Sequence, residues 1–304
     1  MLGGSAGSLE AIFRVLEHLP RRLPAAVFIV IHLYPRQRSH MPAILGKHTS
    51  LPVQQAVDGE PIKTGRIYVA APDRHLLIAE NHIHLTRGPK EGLHRPSINM
   101  TFRSAADVYG PRVIGVVLSG MLDDGAAGLW EIARHGGVTL VQDPGEASFS
   151  SMPESALQGA RIDYKLKAAE IGVMIGRIVN GEEEPPGRTA DLNPAQKEEF
   201  SGFTCPECRG PLYTKKGEGP AEFRCRVGHV ISLGTLIEES GSTQERKLYE
   251  AIVALEEGSD LARLAAGRAT GGEKDDFLRE ADQLKEFSSA IRSMIERRQT
   301  SALP

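Results

Sequence analysis

A serine in a glycine-rich turn lies almost at the start of the sequence. Gly3-Gly4-Ser5-Ala6-Gly7 fits G-x-S-x-G, the pattern in which a nucleophilic serine occupies a sharp turn before a helix. Small residues permit that turn, and the free N–H groups of a helix N-terminus stabilise a developing oxyanion. The pattern alone is also compatible with a serine that caps the helix or with a phosphate-binding loop.

Two later loops offer the other groups that acyl transfer needs. His32 directly follows the apolar run AAVFIVI, and Asp123 and Asp124 follow the apolar run VIGVVL. A lone histidine after a strand commonly packs in the core, and a lone aspartate before a helix commonly caps it. In a parallel α/β sheet, however, the loops at the carboxyl ends of the strands converge on one site. The three loops together therefore favour a Ser-His-Asp hydrolase over coincidence.

The cysteines indicate a second kind of site. The sequence has three, at 205, 208 and 225, and His229 follows the last of them closely. Cys205 with Cys208, and Cys225 with His229, form two knuckles typical of a tetrahedral structural zinc site. The alternative is a set of unconnected thiols with a surface histidine. Four protein ligands leave no open position, so we predict a structural zinc and no cofactor for catalysis.

Composition excludes several classes of protein. The chain has 304 residues with a formal net charge of -3, which gives no electrostatic argument for a nucleic-acid partner. No apolar run approaches the ~20 residues that span a bilayer, so membrane insertion is not expected. The N-terminus lacks the basic and apolar regions of a signal peptide. An odd, clustered set of cysteines suits a reducing compartment, and we expect a cytoplasmic protein.

The elements that must position these residues follow an α/β pattern. Continuous β-branched runs predict buried strands at 25–31, 113–118 and 138–141, with helical patterns at 9–16, 98–108, 127–134 and 168–179. This alternation predicts a doubly wound, mostly parallel, Rossmann-like sheet. Residues 65–88 alternate apolar and polar positions, and we predict a hairpin there at the sheet edge.

The composition changes after residue 179. We predict a first domain over 1–179, a Pro-Pro-containing linker over 180–200, a zinc-ribbon-like module over 201–236 and a helical hairpin over 237–304. The linker suggests that 201–304 fold separately from the first domain. Apolar residues at helical spacing are expected to pack inside the hairpin, at positions 248, 252, 255, 278, 281, 284, 287, 291 and 294.

The first domain resembles the chemotaxis protein-glutamate methylesterase (CheB) family from Gly3 to about Leu157. The resemblance is carried by ordered segments: GGSAGSLEAI, IHLYP, GRIYVAAPDRHLLI, HRPSINMTFRSAA, GVVLSGMLDDGAAGL and QDPGEASFSSMPESAL. FTCPECRGPL and FRCRVGH are similar to the zinc-ribbon tail of stand-alone methylesterase-like proteins, which also carry a helical extension.

The resemblance implies an activity and assigns residues to it. It implies hydrolysis of glutamyl γ-methyl esters on a methylated chemoreceptor or another sensory signalling protein, with deamidation of glutamine also possible. The triad would be Ser5, His32 and Asp124, the aspartate directly before Gly-Ala-Ala-Gly. The backbone amides of Ala6 and Met121 would form the oxyanion hole, and Arg95 would bind substrate or make a salt bridge.

Three departures from the family pattern keep an alternative open. The sequence contains no receiver domain before Gly3, Asn99 stands where an aspartate is common, and only Met1 and Leu2 precede Gly3. A strand that feeds a nucleophile turn is ordinarily longer, so we expect in-frame apolar residues upstream. The alternative is a non-catalytic signalling adaptor built on a degenerate esterase fold. A nucleotide-binding protein is a distant third reading, because G-x-G-x-x-G is absent.

Overall fold

The structure is a computed structural model that describes residues 1–32, 40–185, 198–215 and 219–301. It divides into two compact units, Met1–Leu236 and Ile237–Pro304. Most of the predicted linker, and the LYP of the motif after His32, lie outside the described residues.

A parallel sheet forms the centre of the first unit. The described strands before residue 186 are β1 (Leu2–Gly4), β2 (Val27–Ile31), β3 (Val53–Gln55), β4 (Ile67–Val69), β5 (His75–Ala79), β6 (His82–Thr86), β7 (Ile114–Val117), β8 (Val138–Gln142) and β9 (Tyr164–Leu166). The main sheet has the order β3-β4-β2-β1-β7-β8-β9, with every pairing parallel. The chain moves from β1 to one side and later returns to its other side as β7. The carboxyl ends of β1 and β7 therefore meet at the switch point where ligands bind in such sheets.

Helices cover both faces of this sheet, as the doubly wound prediction requires. They are α1 (Ser8–Glu17), α2 (Met41–Leu45), α3 (Ile98–Tyr109), α4 (Ala126–Arg134), α5 (Ser151–Gly159) and α6 (Ala168–Val179). Successive strand residues point to opposite faces. Val116 and Leu140 belong to the core cluster under α1 and α6, whereas Val117 and Val141 belong to the cluster under α3, α4 and α5.

The prediction for residues 65–88 was partly wrong. The hairpin exists as β5 and β6, but it forms a separate two-stranded sheet, and Ile67–Val69 is an inner strand of the main sheet between β3 and β2. The buried side chains Leu76, Ile78 and Ile83 join the core cluster that contains Phe102 of α3. The hairpin thus buries one apolar face against α3 instead of extending the sheet.

The cysteine-containing segment forms a small antiparallel sheet within the first unit. Its strands, in spatial order, are β10 (Glu198–Thr204), β11 (Pro211–Lys215), β12 (Glu222–Cys225) and β13 (Val230–Ser232). β10 begins inside the predicted linker. We call residues 198–232, as far as the structure describes them, the ribbon. Contrary to the expectation that 201–304 fold apart from the first domain, the ribbon belongs to the same compact unit as the main sheet.

The second unit is a pair of long helices, as predicted. α7 (Leu233–Ala266) begins in the first unit, and α8 (Gly272–Ser301) follows the break at Gly271. The expected internal stripe was wrong at Phe287 and Met294, which are 49% and 55% exposed. Ile252 and Ala281 of the stripe are buried, as are Ile295 and Ser259, and the Ser259 hydroxyl donates to the Ala281 carbonyl at 2.8 Å. None of the helices in the described residues is long and apolar enough to cross a membrane.

Candidate active site

Ser5 occupies a tight turn between β1 and α1. Its backbone N–H donates to the Ser119 carbonyl at the end of β7 at 3.0 Å, and its own carbonyl accepts from the Ser8 hydroxyl at 2.7 Å. Gly7 has φ +70, and a Cβ there would lie 2.6 Å from Ser148 Cβ. Glycine is therefore required on both conformational and steric grounds. Ser119 was assigned no role from sequence, yet its hydroxyl also donates to the Ala6 carbonyl at 2.8 Å.

His32 directly follows β2, which pairs with β1 on the side opposite β7. It contacts both of its predicted partners, Ser5 and Asp124. Its Nδ1 lies 3.1 Å from Ser5 Oγ, and its Nε2 lies 2.8 Å from Asp124 Oδ2. The tautomer with its proton on Nε2 satisfies both contacts, because Nε2–H then donates to the carboxylate and Nδ1 accepts from the serine hydroxyl. The structure thus brings the three predicted triad residues together in one hydrogen-bonded chain.

Asp124 is held at the N-terminus of α3. One carboxylate oxygen, Oδ2, accepts from the backbone N–H of Ile98 at 2.8 Å. The other, Oδ1, accepts from the N–H of Asn99 at 3.0 Å and from the hydroxyl of Ser97 at 3.1 Å. Free N–H groups and the helix dipole favour negative charge at this position. Burial alone raises the pKa of Asp124, but the hydrogen bond and charge of His32 and these N–H donors bring it below its usual value.

Asn99, a departure from the family pattern, has a clear structural role. Its side-chain Oδ1 accepts from the backbone N–H groups of Gly125 and Gly128 at 2.9 and 2.8 Å. Both donors lie at the N-terminus of α4. The N-cap residue there, Gly125, has no side chain that could accept a hydrogen bond. Asn99 therefore ties the start of α4 to the start of α3, directly behind Asp124. An amide oxygen and a carboxylate oxygen both serve as this acceptor.

His94 lies in the site, although no role was predicted for it from the sequence. Its ring stacks on His32, with the ring centroids 3.8 Å apart and an interplanar angle of 15°. Burial, followed by the nearby His32, lowers the pKa of His94 to about 4. His94 is thus neutral at physiological pH and supplies a flat surface against one face of the His32 imidazole. The sequence signal was its place in the HRPS segment, and in the structure His94 directly precedes the cis peptide bond Arg95–Pro96.

Arg95 is engaged with other parts of the protein. Its Nε and one terminal nitrogen donate to Asp73 Oδ1 at 2.9 and 2.6 Å, and its other terminal nitrogen donates to the Gly88 carbonyl at 2.8 Å. Of the two roles considered from sequence, this geometry favours the salt bridge. Arg95 braces the loop after β6 against the loop before β5.

The four predicted metal ligands cluster within the ribbon. The ligand atoms of Cys205, Cys208, Cys225 and His229 all lie within 4.8 Å of one another. Cys205 and Cys225 are buried. Burial alone raises the pKa of the Cys225 thiol, but hydrogen bonds from Cys208 and His229 lower it to about 7. At Cys205 burial prevails and raises the pKa of the thiol to about 11. Three sulfur ligands and one imidazole nitrogen are nevertheless a donor set that a soft divalent cation such as zinc prefers.

Comparison with known proteins agrees with this site. The profile of the CheB methylesterase family matches residues 1–175. The crystal structure of the Thermotoga maritima CheB methylesterase catalytic domain superimposes with a TM-score of 0.56 at 30% identity, covering 58% of this chain and 96% of that one. The chain belongs to the CheB methylesterase family.

Two relatives illustrate how far the similarity extends. A protein of Leptospira interrogans, provisionally named a protein-glutamate methylesterase/protein-glutamine glutaminase, is 36% identical over 179 residues, which is 59% of this chain and 93% of that protein. A protein-glutamate methylesterase/protein-glutamine glutaminase of Photorhabdus laumondii is 34% identical over 186 residues, 60% of this chain and 53% of that protein. The family match ends at residue 175, before the ribbon and the helical pair.

Proposed function

We propose that this protein is a serine hydrolase that removes methyl groups from glutamyl γ-methyl esters on a chemoreceptor-like signalling protein. The observation that carries the proposal is the hydrogen-bonded chain from Ser5 through His32 to Asp124 in a member of the CheB methylesterase family. The triad also argues against a non-catalytic adaptor, because a site without activity does not require three such groups at hydrogen-bonding distance from one another.

Each triad residue has one task in the first half of the reaction. His32 Nδ1 takes the proton of the Ser5 hydroxyl as Oγ attacks the γ-carbonyl carbon of the ester. Asp124 holds the imidazole through Nε2–H and stabilises the imidazolium. The tetrahedral intermediate then collapses, and the methoxide group leaves as methanol with the proton from His32.

Hydrolysis of the acyl-enzyme repeats these roles with water. His32 removes a proton from the water as its oxygen attacks the acyl carbon, and then returns that proton to Ser5 Oγ. The products are a glutamate side chain and free enzyme. With glutamine as substrate, the same sequence releases ammonia, the second activity in the names of the relatives.

The oxyanion is assigned to two backbone amides. The N–H of Ala6 directly follows the nucleophile in the turn before α1, and Met121 lies in the loop between β7 and Asp124. Preorganised amides of this kind stabilise the charge that develops on the carbonyl oxygen, each typically by about 3 kcal/mol.

The proposal is tested with a receptor fragment that carries both glutamyl methyl esters and glutamines. Mass spectrometry follows the loss of the methyl group and, separately, the conversion of glutamine to glutamate. We expect the wild-type protein to remove methyl groups and Ser5→Ala to leave them in place while remaining folded by circular dichroism. Equal activity in the two proteins would refute the assignment of the nucleophile, and an inactive wild type would favour the adaptor.

We further propose that Cys205, Cys208, Cys225 and His229 hold a structural zinc ion. Zinc would tie β10–β11 to β12–β13, since each knuckle supplies two ligands. The small ribbon core, which includes Leu212, Phe223 and Ile231, is too limited to stabilise four short strands by burial alone.

A further inference from the structure

We propose that the ribbon positions the catalytic acid, with Ser232 as the positioning residue. We call residues 119–125, which carry Met121 and Asp124, the acid loop. Ser232 Oγ, at the end of β13, donates to Asp123 Oδ1 at 2.8 Å, although the two residues are 109 positions apart. The inference rests on the proposed role of Asp124 in the esterase reaction.

Ser232 itself is held in place by the start of α7. The backbone N–H of Thr235 donates to Ser232 Oγ at 3.1 Å, and the Thr235 hydroxyl lies 3.4 Å from Asp123 Oδ1. Asp123 is therefore bonded by two hydroxyls from beyond the first domain, while its neighbour Asp124 bonds His32. Both aspartates and both hydroxyl-bearing residues line a small cavity of about 10 Å³ together with Glu91, His94 and Glu222.

The opposite side of the acid loop is held by α5. Leu122 has a φ of +65°, which is unfavourable for a residue with a branched side chain. Its carbonyl accepts hydrogen bonds from the hydroxyls of Ser151 and Ser155 at 3.0 and 3.2 Å. The loop is thus fixed between α5 and the ribbon, and losing one side frees a strained turn to relax.

The ribbon also contacts the segment that carries His94. The backbone N–H of Gly92 donates to the Val230 carbonyl at 2.8 Å, and the Val230 N–H donates to the Lys90 carbonyl at 3.4 Å. His94 in turn stacks on His32. β13 therefore touches both segments that surround the catalytic imidazole.

An ion-pair network adds a third contact. Arg103 of α3 bonds Glu91 at 2.6 Å through one terminal nitrogen and Glu222 of β12 through the other. Glu91 is buried, so removal of Arg103 would leave its charge without compensation in the interior. Glu222 bonds the same guanidinium, and this ion pair links the start of β12 to α3.

The two anchoring side chains sit at one end of a hairpin whose other end carries metal ligands. Glu222 and Ser232 are directly opposite each other in the β12–β13 pairing, and Cys225 and His229 lie at the turn that joins the strands. A bound metal would fix the hairpin and, with it, the spacing of both anchors. Metal occupancy and the geometry of the acid loop are thereby linked.

The test compares two serine substitutions within the ribbon. Ser232→Ala removes the bond to Asp123, and Ser201→Ala removes a bond of similar length, 2.8 Å, to the Leu212 carbonyl inside the ribbon. On a small methyl ester, we expect Ser232→Ala to lower kcat about tenfold with KM unchanged, the usual worth of a hydrogen bond to a carboxylate. Ser201→Ala should keep wild-type kinetics, and Ser232→Thr, which retains a hydroxyl, should restore most of kcat.

A double-mutant cycle and hydrogen exchange separate positioning from general stability. Asp123→Ala, which also removes the Thr235 contact, should lower kcat at least as much as Ser232→Ala, and the double variant should lose no more than Asp123→Ala alone, because both substitutions remove the Ser232–Asp123 bond. Amide exchange in residues 119–125 should accelerate in Ser232→Ala and in chelator-treated wild type, but not in Ser201→Ala. Additive effects, or equal exchange in both serine variants, would overturn the proposal. If the wild type hydrolyses no ester, the proposed function fails, and the exchange comparison still decides whether the ribbon holds the loop.

Discussion

Asp123 and Asp124 are neighbours in the sequence, but their carboxylates bond different partners. Asp124 accepts from His32 and from the N-terminus of α3, whereas Asp123 accepts from Ser232 of the ribbon. Burial raises the pKa of Asp123, while the pKa of Asp124 is lowered by its bonded donors. One short loop thus carries both the proposed acid of the triad and the residue that the ribbon contacts.

We expect the two aspartates to differ sharply when each is changed to asparagine. Asp124→Asn should lower kcat roughly 10³- to 10⁴-fold, because an amide does not hold the histidine tautomer in which Nδ1 accepts from Ser5. Asp123→Asn is the matched control: its amide oxygen still accepts from Ser232, and the loss should be slight. Steady-state kinetics on a methyl ester measures both, and a larger loss for Asp123→Asn would contradict the assignment of the acid.

His94 should make folding stability depend on pH. Its pKa is about 4 in the folded protein, against an ordinary value of 6.5. Between these values the unfolded chain binds the proton more readily, so stability is complete above pH 6.5 and falls as the pH drops toward 4. Asparagine does not titrate. His94→Asn should therefore remove on the order of 1 kcal/mol from the pH-dependent part of the free energy of unfolding, because solvent partly screens this half-buried ring.

Urea unfolding at several pH values measures this effect. The free energies of unfolding of wild type and His94→Asn should show a constant difference above pH 6.5 and converge or cross below it. Parallel curves across the whole range would show that His94 is protonated equally in the folded and unfolded states.

Asn99 provides a test of the contact behind the acid. Asn99→Asp keeps an oxygen for the N–H groups of Gly125 and Gly128 and should preserve folding. Asn99→Ala leaves two buried donors without that acceptor. It should lower the free energy of unfolding by about 1–3 kcal/mol for each donor that stays unsatisfied. Thermal unfolding compares the two variants, and equal destabilisation would show that the shared acceptor is not what matters at this position.

The ribbon should bind one zinc ion per chain through its four clustered ligands. Cys208→Ser should lower the zinc content measured by atomic emission and lower the unfolding temperature, because metal binding contributes directly to folding of small metal sites. Ser201→Ala, in the same module but outside the ligand set, is the control. Full zinc content in Cys208→Ser would mean that another group completes the site.

Much of the esterase fold was predictable from the sequence, because its inner strands are continuous β-branched runs. β2, β7 and β8 were predicted in this way, whereas α1, α3, α4 and α6 were predicted from helical patterns. The short strands β3 and β9 were missed, since three residues with partial burial leave no periodic signal. Ile67–Val69 was assigned to the hairpin because a run that short does not reveal which sheet it joins.

The part of the candidate site that could be predicted consists of serine, histidine and aspartate residues that follow the ends of strands. Ser5, His32 and the aspartate pair all follow strands, but the choice of Asp124 over Asp123 depended on the family resemblance. His94 and Ser232 were missed for a different reason. Each makes a contact between distant parts of the chain, and no local pattern specifies that the last residue of β13 meets an aspartate after β7.

The most direct test of the central claim is whether Ser5 becomes acylated. Wild type and Ser5→Ala are mixed with an activated glutamyl ester, quenched during the first turnover and digested, and the peptide that contains Ser5 is examined by mass spectrometry. We expect an acyl adduct on Ser5 that forms and decays at rates consistent with turnover, and neither adduct nor hydrolysis in Ser5→Ala. Hydrolysis that persists in Ser5→Ala, or an adduct on another residue, would contradict it.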